Sequence, residues 1–382
     1  MPRFSTLTLA VALAVGSLTG QAAPLPQERT LGQLEQVFAF HDAMPTGVTV
    51  SETGRIFVNY PRWGDEVPFT VAELKDGKAV PYPDAALNVE TPGQPSRGFI
   101  SVQSVVADGR GHLWVLDTAA PGFAAPKAGG VKLVAIDLKT NKVARTLVFP
   151  ASVLQPKSYV NDVRFDFRVG RAGVAYVTDS APPGGLIILD LATGQAQRRL
   201  TGAPQANVDP SFVPVVEGEP LLMRRPDGST VRPAIASDGI ALSPDGGTLY
   251  FSPLSSRHLY AVPTALLRDP TASEAQVRAG VQDLGEKGAS DGLEADAQGR
   301  VYAGDYEHNA VRQRQADGSW KPLVHDPRVL WPDTFSIGPD DYLYFTANQL
   351  HRQAQFHSGQ DLREKPYSLF RVKIDAQPAP TH

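Results

Sequence analysis

Four aspartates stand at matching points of a pattern that recurs six times: Asp162 in Asn161-Asp162-Val163, Asp238 in Ser237-Asp238-Gly239, Asp291 in Ser290-Asp291-Gly292, and Asp333 in Pro332-Asp333-Thr334. Thr46 and Gln103 hold the same place in the two earlier copies. If equivalent positions meet at one opening, four carboxylates repel one another, and some keep protons unless a cation is present. Oxygen donors without His or Cys select a hard cation such as Ca²⁺ over Zn²⁺. For any one Asp taken alone, capping its own turn is the structural alternative.

Two chemistries follow. In one, Asn161, Asp238 and Asp291 hold one divalent cation that polarises a carbonyl or lowers the pKa of a water, with Asp162 or Asp333 as base. In the other, the opening takes a small polar or cationic aromatic molecule. The acidic residues then meet its amine, Thr46 and Gln103 line the opening, Trp63, Phe99 or Phe335 stacks on the ring, and Arg62 lines the pocket beside Trp63. Arg62 beside Trp63 reads equally as a cation–π brace. A second acidic column, Asp117, Asp179 and Asp305, follows the second hydrophobic run of three copies and reads as bracing for the next turn. The eight His do not share a column, and there is no Gly-x-Ser-x-Gly, His-Glu-x-x-His, Walker, dinucleotide or EF-hand motif.

The elements that must position these residues follow from the repeat. Its first members are separated by 57, 59, 76, 53 and 42 positions, which suits units of about 40–50 residues carrying loop insertions. Each copy opens with a period-2 hairpin, such as Val105-Val106 against His112-Leu113-Trp114-Val115, turned by Asp108-Gly109-Arg110-Gly111. Most copies add a second hairpin, turned at Asp76-Gly77, Thr140-Asn141, Thr193-Gly194 or Asp317-Gly318. Two hairpins make a four-stranded meander that cannot bury its own face, and six around an axis make an all-β, six-bladed β-propeller. A β-sandwich offers no repeat of this period. Residues Val37–Phe40 are expected to close the ring against Leu369–Ile374, and the best helix signal is Pro263–Arg268. The 34 Gly and 33 Pro fit a turn-rich β chain.

At the N-terminus, Arg3, the apolar run Leu7–Leu18 and Gly20-Gln21-Ala22-Ala23 form a secretory signal spanning residues 1–23, leaving 24–382 as one propeller domain and a secreted or periplasmic product. No segment is long enough to cross a membrane as a helix. With no Cys, stability rests on packing rather than disulfides. A net charge of −4 and the lack of any Lys/Arg run give no electrostatic support for nucleic acid or an anionic membrane as partner. A small-molecule ligand is the partner these residues indicate; a protein partner leaves no sequence trace.

Several of these segments carry a family resemblance. Pro45-Thr46-Gly47-Val48 through Arg55-Ile56-Phe57-Val58-Asn59-Tyr60-Pro61-Arg62, then Lys132–Leu138, Tyr159-Val160-Asn161-Asp162-Val163, and Ser237–Gly246 with Leu249–Leu254, resemble the yellow/major royal jelly protein family in sequence order. The resemblance covers about Leu31 to Ile374. It implies a secreted six-bladed propeller, a channel that binds small amines, and dopachrome-tautomerase-like isomerase activity. More distantly, the chain is similar to the gluconolactonase/regucalcin propellers, which hold one divalent cation and hydrolyse sugar lactones. Asn161-Asp162 and Asp291-Gly292 match that ligand pattern, Asp238 stands in place of an Asn, and Thr46 lies where a Glu is needed.

Overall fold

The computed structural model describes residues 29–382; the signal segment expected at residues 1–23 lies outside them. Six four-stranded antiparallel sheets surround an axis, as the repeat implied. Blade 1 runs outward from the axis through Val48–Val50, Ile56–Asn59, Val71–Lys75 and Lys78–Pro81. The innermost strands of blades 2 to 6 are Val102–Ala107, Val160–Asp166, Ser237–Leu242, Leu293–Ala295 and Pro332–Ile337. Blade 6 is completed by the first strand of the described chain: Glu35–Phe40 pairs with Tyr367–Lys373, so the two ends of the ring share one sheet. This is the expected closure, and it needs no disulfide.

Alternation along each strand sends one side chain toward one neighbouring blade and the next toward the other. Six apolar clusters result, one between each pair of blades. Leu116, Leu133, Val163, Val177 and Ile187 fill the gap between blades 2 and 3, and Tyr176, Leu186, Ile240 and Phe251 that between 3 and 4. A seventh cluster lies elsewhere. Residues 200–236, between blades 3 and 4, form an insertion with two short strand pairs, Val215–Val216 with Glu219–Pro220 and Met223–Arg224 with Thr230–Val231. Its Phe212, Val216 and Leu221 pack on Leu254, Ala289, Tyr306, Trp331 and Phe356, over the end of the ring where the innermost strands begin. This insertion accounts for the long interval between Asp162 and Asp238.

The expected helical turn appears as Thr264–Arg268. A second helix, Glu274–Ala279, was not expected, although Ser273 and Gln276 form a full capping box readable as Ser-x-x-Gln.

The innermost strands crowd the axis. A Cβ at Gly239 would lie 2.5 Å from the carbonyl oxygen of Asp291, and one at Gly292 would lie 2.4 Å from that of Asp333. Gly292 N–H donates to the same Asp333 oxygen at 2.8 Å. The glycine after the aspartate is therefore required by strand-to-strand approach, not by a turn. Replacing Gly292 with Ala should destabilise the fold by about 1–3 kcal/mol through overpacking. Scanning calorimetry showing an unchanged midpoint would contradict this account of the axis.

Candidate functional site at the acidic end of the channel

All six residues at the head of the repeat lie at one end of the channel, and each is less than one-tenth exposed. A slip in register aims four of them. Between the first and second strands the pairing shifts at Val102/Ser104, Val160/Val163, Ser237/Gly239 and Pro332/Phe335, leaving Gln103, Asp162, Asp238 and Asp333 unpaired in their ladders. A bulge of this kind re-aims the extra side chain.

The carboxyls of Asp238 and Asp291 come within hydrogen-bond reach of each other, and Asp162 and Asp333 complete the tier around them. Burial, then the neighbouring Asp291, Asp333 and Asp162, push Asp238 well above the usual carboxylate range. Burial, then Asp291, does the same to Asp333. Burial also raises Asp291, to about 6, restrained by the Trp331 indole N–H, which donates to it at 2.8 Å, and by Asp238. Asp333 accepts from Asn348 Nδ2 at 2.6 Å, and Asp162 accepts from Ser104 Oγ at 2.8 Å.

Two aromatic groups cover this end. Trp63 stacks on Phe123 with ring centroids 4.9 Å apart, and its Nε1 donates to Tyr159 Oη at 2.7 Å. Tyr159 Oη in turn donates to Gln103 Oε1 at 2.9 Å. On the other side, Tyr306 and Trp331 stack at 3.9 Å. Trp331 has φ 60°, a left-handed backbone that costs a bulky residue on the order of 1–3 kcal/mol. The stack and the bond to Asp291 hold it there.

The sequence-derived residues therefore separate. Asp162, Asp238, Asp291, Asp333, Gln103 and Trp63 come together. Thr46 lies at the same end, but its hydroxyl accepts from Asn59 Nδ2 and its carbonyl from Thr346 Oγ1. Arg62 is spent on the backbone carbonyls of Ile100, Val67 and Asn88. Phe335 packs on Phe345 in the core between blades 5 and 6, with ring centroids 5.7 Å apart, and it also lines the cavity farther along the channel. Asn161 is half-buried, and among the described residues its amide has no hydrogen-bond partner. Two members of the second acidic column brace turns as expected: Asp117 accepts from the N–H groups of Ile100, Ser101 and Ala119, and Asp179 from those of Tyr159 and Ala181, whereas the Asp305 carboxylate meets His308 Nδ1 at 2.9 Å.

Sequence reasoning missed Lys287, Tyr159, Trp331 and Asn348. Lys287 is fully buried, donates to Gly288 O at 3.0 Å, and is lowered to about 7 by burial against the pull of Asp305, Asp238 and Asp291. Tyr159, Lys287 and Trp331 all sit two to four residues before a tier aspartate, in the segments leading into the innermost strands.

The donors at this end are all oxygens, the set a hard divalent cation takes. Asp238 and Asp291 are two adjacent carboxyls of that kind, and Asn161, on the innermost strand of blade 3, keeps an uncommitted amide.

Comparison with known proteins adds the following. The profile of the family described as Major royal jelly protein matches residues 100–380. Protein yellow of Drosophila guanche is 30% identical over 311 residues, covering 72% of this chain and 51% of that protein. Protein yellow of Drosophila melanogaster is 28% identical over 255 residues, covering 61% and 43%. The aligned region thus spans about half the length of these relatives. Among solved structures, the calcium-binding protein regucalcin from Agrobacterium tumefaciens matches with TM-score 0.51 and 14% identity over 90% of this chain and 95% of that one. A gluconolactonase from Xanthomonas campestris matches with TM-score 0.51 and 14% identity over 90% of each. At such identities these structures establish the fold alone.

The buried carboxyls imply a pH signature. Because their folded values are raised, the native chain keeps protons that the unfolded chain releases above about 3.8; the resulting stability is present below that value and lost as pH rises, through about 6 for Asp291 and through the raised value of Asp238 for that residue. Lys287 acts in a separate window: its destabilisation is present below about 7 and fades as pH climbs toward 10.5. In chelator-treated protein the melting temperature should fall between pH 5 and 7, and Asp238→Asn should flatten that fall. Parallel pH curves for the two proteins would refute the assignment.

Proposed function

The chain belongs to the major royal jelly protein family, and from that premise we propose that it binds a small polar, cationic aromatic molecule at the acidic end of its channel and moves a proton on it. The observation that carries this reading is the contact between the Asp238 and Asp291 carboxyls, in one tier with Asp162 and Asp333 and beneath aromatic rings. An ammonium group displaces protons from such a tier and takes over the charge balance. The rings of Trp63 and Phe123, of which Phe123 is 51% exposed, offer a face to a cation or an aromatic body.

Proton transfer follows from the unequal pair. Ionised Asp291, at about 6, takes a proton from a carbon next to an unsaturated carbonyl, while neutral Asp238 gives its own to the oxygen. One hydrogen moves from carbon to oxygen with no change of oxidation state, which is an isomerase step of the dopachrome-tautomerase type. In this step Asp162 and Asp333, which accept from Ser104 Oγ and Asn348 Nδ2, line the tier beside the reacting pair.

The all-oxygen donors and the uncommitted Asn161 amide favour a second reading, a divalent-cation-dependent lactone hydrolase. Asn161, Asp238 and Asp291 would hold the ion, which when bound supplies Lewis-acid polarisation of a carbonyl. Thr46 in place of a carboxylate counts against it. In both readings the protein is exported through residues 1–23, on the strength of their pattern alone.

Thermal-shift and calorimetric titrations of chelator-treated protein separate the two. Tyramine or tryptamine at a hundredfold excess over its Kd should add about 2.7 kcal/mol of stability, and Asp291→Asn should weaken binding at least about tenfold. Dopachrome isomerisation, if present, should vanish in Asp291→Asn. Stabilisation by Ca²⁺ and not by amines would favour the hydrolase; a response to neither would remove both readings.

A further inference from the structure

Below the acidic tier the channel widens into a chamber of about 280 Å³. It runs along the axis from Asp162 and Thr334 to residues 377–382, which cross the far end of the ring. That segment is held by Ala297 N–H to Gln377 O at 2.9 Å, Phe167 N–H to Thr381 O at 2.8 Å, and Thr381 Oγ1 to Asp108 O at 2.9 Å. An apolar cavity of about 150 Å³ already accepts benzene, so the chamber has room for a substituted ring. Most of its wall is apolar, with Val105, Phe165, Leu242 and Ile337 among the lining residues.

Polar side chains interrupt that wall, among them Thr49, Asp108, Ser336 and a single guanidinium, that of Arg164. Arg164, 8% exposed, lies on the innermost strand of blade 3 and reaches across the axis to blade 5. Of its five N–H donors, two are spent on carbonyls, Val163 O at 2.9 Å and Leu293 O at 2.7 Å. Its Nε is buried with no partner. The nearest carboxylate oxygens, of Asp162 and Glu294, are 3.7 and 3.5 Å away, ion-pair contacts rather than hydrogen bonds. Glu294 spends Oε1 on Ala295 N–H at 2.9 Å, and its Oε2 makes no contact closer than the one to Arg164. A buried guanidinium with unfilled donors therefore stands beside a carboxylate with an unfilled acceptor, both lining one apolar chamber. Leaving a buried donor such as Arg164 Nε unfilled is costly.

We propose that this chamber is a second ligand site, below the acidic tier and sharing only Asp162 with it, for an uncharged ring compound bearing a donor and an acceptor side by side, as in a primary carboxamide or a lactam. The carbonyl oxygen accepts from Arg164, the amide N–H donates to Glu294, and the ring fills the apolar wall. One guanidinium between two carboxylates carries a formal charge of −1, which disfavours an added carboxylate. An ammonium has no acceptor to offer Arg164 and would sit against its positive charge. The site does not depend on the function proposed for the acidic tier.

Benzamide and 2-pyridone are the probes, with benzoate and benzylamine as charged counterparts of the same size, each titrated against the full chain by ligand-observed NMR and calorimetry. Saturable benzamide binding, at least about tenfold tighter than either charged analogue, is expected. Arg164→Lys, which keeps the charge but loses the planar fork, should weaken it at least about tenfold. Val106→Phe, which adds bulk to the chamber wall, should weaken it at least about tenfold. Asp291→Asn, which weakens amine binding in the function proposed above, should leave benzamide binding unchanged. No saturable benzamide binding, equal binding of benzylamine or benzoate, or wild-type affinity in both Arg164→Lys and Val106→Phe would each overturn the proposal.

Discussion

The packing of six innermost strands around a narrow axis is the constraint from which the rest follows. Adjacent strands come so close that the backbone at Gly239 and Gly292 tolerates no side chain beyond hydrogen. Side chains on the second strands reach across and tie one blade to the next. Thr178 Oγ1 donates to Asp238 O at 2.8 Å, Thr346 Oγ1 to Thr46 O at 2.6 Å, and Asn59 Nδ2 to Gln103 O at 3.0 Å. These bonds end on the backbone of the tier residues themselves, so the polar end of the channel is built from the groups that hold the ring together. Asn59 is the exacting case: its amide nitrogen serves Thr46, Val102 and Gln103 at once.

Such convergence concentrates like charge, and the structure distributes it in two tiers. At the acidic end, burial pushes Asp238 and Asp333 well above the usual carboxylate range, and Lys287, lowered to about 7, is buried near Asp238 and Asp291. Deeper in the channel, Arg164 lies between Asp162 and Glu294 without a close hydrogen bond to either. Neither tier is fully satisfied by its own neighbours. Incomplete pairing at low dielectric is expensive, and in folded proteins it concentrates where a ligand completes the network. The left-handed backbone of Trp331, fastened to Asp291, is further strain at the same end.

How far the site was legible depended on whether a residue belongs to the repeat. The aspartates were readable because each sits at a fixed distance from a hairpin, and a repeat turns that distance into a position on the axis. Arg62 and Trp63 lay outside that logic and diverged: adjacent in sequence, one spends its guanidinium on three carbonyls while the other joins Tyr159 and Gln103. Lys287, Tyr159 and Trp331 were missed because they come from connecting segments, whose course carries no period. A lysine in a loop looks the same in sequence whether it ends in solvent or against three carboxylates. Arg164 and Glu294 carried a usable signal, since each follows a tier aspartate within a few residues on an innermost strand, but a charged residue in a strand more often faces water.

The chain's own pattern determined the six blades, the four-stranded meanders, the ring closure and the shared address of the tier residues. Those follow from period-2 alternation and turn chemistry, which are local and repeated. Only the tertiary structure decided which carboxyls touch, which cation is buried beside them, and that a chamber with an underused guanidinium lies below. These depend on register slips within single strands and on loops that pack from distant parts of the chain. Distances of an ångström or two settle them, and no local property of the sequence records such distances.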